Sequence, residues 1–136
     1  MANYYATARS NYFKVKDVAA FREWATPINI EVIEGDGKHE GLVCLIADDG
    51  DQNGWPSWRP GEGDGEDTEI DLAQEIAAHL VDGHVAILME AGAEKVRYVS
   101  GWAMAVNSKG ETESVSLQDI YEMAEHLGEH VTRAEY

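Results

Sequence analysis

The sequence predicts an α+β fold: a single domain in which a mostly antiparallel sheet has about three helices packed on it. Three observations lead there. The chain has 136 residues, the length of one domain. Its strand-like runs follow one another through hairpin turns, which join antiparallel neighbours. Helical spacing behind a capping residue occurs in only three places.

Tyr4–Ala8 and Tyr12–Val15 read as strands, rich in aromatic and β-branched residues, with Ser10 and Asn11 as a polar break. Asp17 then caps a helix whose apolar residues are Val18, Phe21, Trp24 and Ala25, and Pro27 ends it. Ile28, Ile30 and Val32 alternate with polar residues as in a half-buried strand. Gly35-Asp36-Gly37 is a turn signal, and Leu42–Ile46 an apolar run suited to a central strand. Residues 48–67 form a long acidic loop rich in Gly, Pro and Trp. Thr68, with Asp71 three residues on, is read as the cap of a helix with Ala73, Ile76, Ala77 and Leu80 on one face and Gly83 at its end. Val85–Met89 reads as a second buried strand, and Val96–Val99 and Trp102–Val106 continue the sheet, with a bulge expected at Gly101. Asn107–Gly110 turns the chain into a strand over Glu111–Val115. The last helix has the clearest signal: a Ser116 cap, an apolar face of Leu117, Ile120, Tyr121, Ala124 and Leu127, and a stop at Gly128.

Composition narrows the function. An apolar fraction of 44 % argues against global disorder. No apolar run reaches the roughly 18 residues of a membrane span. Met1–Tyr5 has neither the basic nor the apolar part of a signal peptide. The single cysteine, Cys44, rules out an internal disulfide framework and sits in an apolar run as a structural thiol would. A cytoplasmic location is therefore expected. The net charge of −16 works against direct binding to nucleic acid or an anionic membrane, because both require a basic footprint. It steers a basic protein partner inward instead. Plain solubilising charge and adaptation to a salty cytoplasm are the competing explanations.

Much of the charge is concentrated. Asp48, Asp49, Asp51, Glu62, Asp64, Glu66, Asp67, Glu69 and Asp71 are opposed by Arg59 alone. Trp55 and Trp58 lie within this block, and tryptophan is favoured as an interface anchor. The expected partner-binding residues are accordingly Trp55, Trp58, Glu62, Asp64, Glu66, Asp67, Glu69 and Asp71. Asp49, Asp51 and Asn53, followed by Gly54, match the opening of a calcium loop, in which oxygens at alternate positions converge on one cation. Pro60 stands where such a loop needs a bidentate glutamate, so only a looser loop closed by Glu62 or Asp64 fits. His126 and His130 fit H-x-x-E-H, with two histidines able to share a metal on one helix face. Glu94-Lys95-Val96-Arg97-Tyr98, joined by Arg9, make a second polar cluster, read as a structural ion-pair patch or as a small anionic-ligand site. No phosphate loop and no nucleophile–base spacing is present.

Arg9–Asp17, Met89–Tyr98 and the terminal Glu135-Tyr136 resemble a group of small acidic proteins from phages, plasmids and integrative elements. That resemblance implies a class: anti-CRISPR or antirestriction inhibitors, some of which imitate the phosphate charge of DNA. The leading expectation is a non-enzymatic inhibitor that binds the basic nucleic-acid-binding surface of a host defence complex, with no cofactor. A calcium or small-ligand binding module and a metal-dependent hydrolase are the alternatives.

Overall fold

Hairpin-connected strands and few helices do produce an antiparallel sheet. The computed structural model describes residues 4–47, 54–94 and 98–134. The strands are β1 (Tyr4–Ser10), β2 (Ile30–Glu34), β3 (Val43–Ala47), β4 (Trp58–Arg59), β5 (Thr68–Glu69), β6 (Val85–Glu94), β7 (Tyr98–Asn107) and β8 (Thr112–Ser116). The helices are α1 (Val18–Ala25), α2 (Leu72–Ala77) and α3 (Asp119–Met123). Six strands form one sheet in the order β2-β3-β1-β6-β7-β8, and β4 and β5 form a separate hairpin. The result is a single α+β domain in which every strand pairing is antiparallel.

Asp17 caps α1 as the sequence predicts, its carboxylate accepting from the Ala20 amide at 3.1 Å. Arg22 fastens this helix to β2 by donating to the Val32 carbonyl at 2.8 Å and meeting Glu34 at 3.0 Å. The expected polar break at Ser10 and Asn11 is where β1 ends, and the two side chains carry the pairing past that end. Ser10 Oγ accepts from the Leu45 amide at 2.8 Å, and Asn11 Oδ1 accepts from the Ile87 amide at 2.7 Å. Two short polar side chains thus stand in for backbone rungs where β1 leaves the ladder.

The core lies on one face of the sheet. Phe13, Phe21, Leu45, Ile76, Leu80 and Leu88 are fully buried there, with α1 packed beside β2 and α2 beside β7. Phe21 is sandwiched between an edge contact to Phe13 and a stack on Trp24, with ring centroids 6.0 and 5.1 Å away.

Four local expectations need correction. Thr68 does not cap α2: it belongs to β5, and Asp71 is the cap, accepting from the Gln74 amide at 3.3 Å. The apolar run in β6 is buried on one side only, alternating from Ala86 to Leu88, because none of the described elements covers the other face of the sheet there. Gly101 makes no bulge and pairs in regular register with Ala91. α3 is shorter than expected, spanning only Asp119–Met123 behind Gln118, and none of its residues is buried; Leu117, Ile120 and Leu127 of the expected apolar face stay more than half exposed. A helical apolar stripe is buried only when another element packs across it, and among the described residues α3 meets chiefly the edge strand β8 and the short helical turn that follows it.

Candidate partner-binding surface

The described part of the acidic block, residues 54–71, runs through the small hairpin, which is held from two sides. On its N-terminal arm, Trp55 turns inward and is 8 % exposed. Its amide donates to Glu90 Oε1 at 2.8 Å and its indole N–H to the Met89 carbonyl at 3.1 Å. Glu90 Oε2 also accepts from Tyr4 Oη at 3.1 Å and from the Trp102 indole at 3.3 Å. One carboxylate on β6 therefore gathers donors from β1, β7 and the loop. Burial raises the Tyr4 pKa above 10.0; the bond from Ser100 opposes this, and the charge of Glu90 adds to it.

Gly54 explains how the backbone comes so close. Its φ is +86°, and a Cβ there would fall 2.1 Å from Glu90 Oε1. A glycine that fits the sixth position of a cation loop thus has a different use, close approach to a carboxylate. Asp49, Asp51 and Asn53, the proposed calcium ligands, lie outside the described residues, as do Lys95 and Arg97.

On the hairpin itself, Trp58 pairs with Glu69 and Arg59 with Thr68. Cross-strand partners share a face, so the two pairs point to opposite sides. Arg59 faces α2 and meets Glu75 at 2.5 Å, where the Trp24 indole also donates at 2.9 Å. Trp58 faces away and is 56 % exposed. The turn is ordered by its own polar atoms: the Gly65 amide donates to the Glu62 carbonyl at 2.8 Å and the Gly61 amide to Asp67 Oδ1 at 3.0 Å.

Burial alone would raise the pKa of Glu75, but the hydrogen bonds from Arg59 and Trp24 outweigh it and hold this carboxyl below 4.5. A carboxyl whose native pKa is depressed binds fewer protons than its unfolded counterpart. Its stabilisation is complete above the unfolded pKa and is lost as pH falls through the native one. We expect the wild type to lose more stability than Glu75→Gln on acidification below about pH 4.5, read from denaturant midpoints across a pH series. Equal acid slopes would remove Glu75 as the clasp between hairpin and helix.

The structure sorts the expected partner-binding residues. Glu62, Asp64, Glu66, Asp67, Glu69 and Asp71 are all exposed on one short stretch, with Trp58 beside them. Among the described residues none of these six carboxylates forms an ion pair; the two salt bridges are Arg22–Glu34 and Arg59–Glu75. Trp55 does not belong with them. It is a core residue, because its indole is used up by packing and by the Met89 carbonyl. Glu90, which positions the whole arm, was missed: a glutamate in an apolar strand carries no spacing signal of its own.

The paired-histidine idea does not survive the geometry. α3 ends at Met123, so His126 and His130 do not share a helix face; both are exposed, and His126 Nδ1 contacts the Met123 carbonyl at 2.8 Å. Among the described residues no three His, Cys, Asp or Glu side chains are grouped to hold a metal ion. Cys44 is buried, as expected. No helix among the described residues is long and apolar enough to cross a membrane. No protein-family model matches the chain, no curated protein matches it, and no solved structure matches it.

Proposed function

We propose that this protein is a non-enzymatic acidic inhibitor, carried by a mobile element and acting in the cytoplasm of the host cell. It binds the basic nucleic-acid-binding surface of a host defence complex of the kind that anti-CRISPR and antirestriction proteins target. One observation carries the reading: among the described residues, five carboxylates without cationic partners, Glu62, Asp64, Glu66, Asp67 and Glu69, are displayed on a hairpin held to the domain at Glu75 and, through Trp55 on its N-terminal arm, at Glu90, with Asp71 just beyond it at the cap of α2. Solubilising charge needs no such clamp. A surface that must meet a fixed array of Lys and Arg does, because preorganised charges lose less entropy on docking. Exposed Trp58 gives the acidic surface an apolar anchor.

The experiment is capture from a host lysate on immobilised protein, followed by elution with a short DNA duplex. The expected result is retention of a nucleic-acid-binding complex that DNA displaces and that rising salt releases. Retention indifferent to both DNA and salt overturns the reading.

A further inference from the structure

We propose that the chain associates with a second copy of itself through the open face of its sheet, where β1, β6, β7 and β8 lie side by side. This goes beyond the proposed inhibitor function and does not rest on it. Tyr5, Met89, Val99, Val115 and Leu117 project from that face, and each is more than half exposed. A groove of about 470 Å³ runs among them and is lined by Thr7, Arg9, Ala103 and Val115. Continuous apolar surface of this kind is rarely left uncovered on a monomer.

Two features point to a second copy as the cover. The first is charge. The chain has 26 Asp and Glu residues, yet the alternation of the four strands places only Glu113 on this face among the described residues. Two chains of charge −16 repel, and this face puts few carboxylates between them.

The second is self-complementarity. One row across the sheet reads Arg9, Met89, Ala103, Val115 from β1 to β8. A two-fold axis running parallel to the strands, between β6 and β7, lays β1 of one copy over β8 of the other and β6 over β7. Met89 then faces Ala103, large against small, twice by symmetry. Arg9 comes over the strand that carries Glu113, one row along, or about 7 Å. Arg9 has no ion-pair partner within its own chain among the described residues, its Nε donating only to the Ser10 carbonyl at 3.1 Å. In the row beside, Leu117 packs over Gly101, where an added Cβ would lie 3.1 Å from its Cδ1, and under the same axis it is brought over Thr7. Aligned sheets packed about 10 Å apart leave room for these side chains to interdigitate.

Sedimentation velocity over a concentration series tests this. The wild type is expected to show a monomer–dimer equilibrium. Val115→Glu and Arg9→Glu, both at exposed positions, are each expected to weaken it about tenfold or more, with circular dichroism unchanged. The charge exchange Arg9→Glu with Glu113→Arg is expected to recover most of the loss. A wild type that remains monomeric throughout overturns the proposal, as does a dimer that Val115→Glu leaves intact or a charge exchange that recovers nothing.

Discussion

Trp55→Ala is expected to destabilise the protein by about 3–5 kcal/mol, a large share of the roughly 5–15 kcal/mol that holds a domain folded. The indole is 8 % exposed and belongs to the main core, so its removal opens a cavity beneath the acidic hairpin. It also removes a donor to the Met89 carbonyl. Trp55→Phe separates the two contributions. It keeps most of the packing and loses the N–H, so a smaller cost of about 0.5–1.5 kcal/mol is expected for the lost hydrogen bond, since Met89 remains paired in the sheet on both sides. Urea titration measures both. The alanine variant has a second consequence, because Trp55 is the tether of the arm that leads into the hairpin. Proteolysis between residues 54 and 71 is expected to accelerate more than the global loss of stability accounts for. A Trp55→Ala variant within about 0.5 kcal/mol of wild type would show that this residue is not a core residue.

The two tryptophans show where a sequence stops being legible. Trp55 and Trp58 are three residues apart in the same polar loop, yet one is buried and the other is 56 % exposed. What separates them is Glu90, 35 residues away in sequence from Trp55, and a glycine that lets the backbone reach it. Local signals are readable in part: Asp17 caps α1 and the buried face of α2 carries Ala73, Ile76 and Ala77, but the residues expected to cap the other two helices, Thr68 and Ser116, lie in β5 and β8. Which apolar stripe finds a cover is a tertiary property. The stripe of α3 has as good a period as that of α2, but α2 lies against β7 and α3 only beside the sheet-edge strand β8. The acidic hairpin is an intermediate case. Its carboxylates were visible as a run, while the clasp between Arg59 and Glu75 that orients them spans 16 residues and a change of element.

Neutralising four carboxylates of the hairpin, with Asp64→Asn, Glu66→Gln, Asp67→Asn and Glu69→Gln together, is expected to weaken capture of the basic partner about a thousandfold. The size follows from about 1 kcal/mol for each charge at the edge of an interface, which for four charges approaches the roughly 4 kcal/mol of a thousandfold change. Stability is expected to stay within about 0.5 kcal/mol of wild type. All four side chains are exposed, and asparagine at position 67 retains an oxygen for the Gly61 amide. The loss should fall mainly on the association rate at low salt, since steering is a long-range effect, and should shrink as salt screens it. A second quadruple variant decides whether position or total charge matters. Glu23, Glu31, Glu40 and Glu122 are exposed and lie outside the hairpin; changing them to glutamine removes the same number of charges. If the acidic surface is merely solubilising or generally attractive, the two variants bind alike. If the hairpin is the docking element, only the first loses the partner, and a hairpin variant with undiminished binding rejects the proposed site outright.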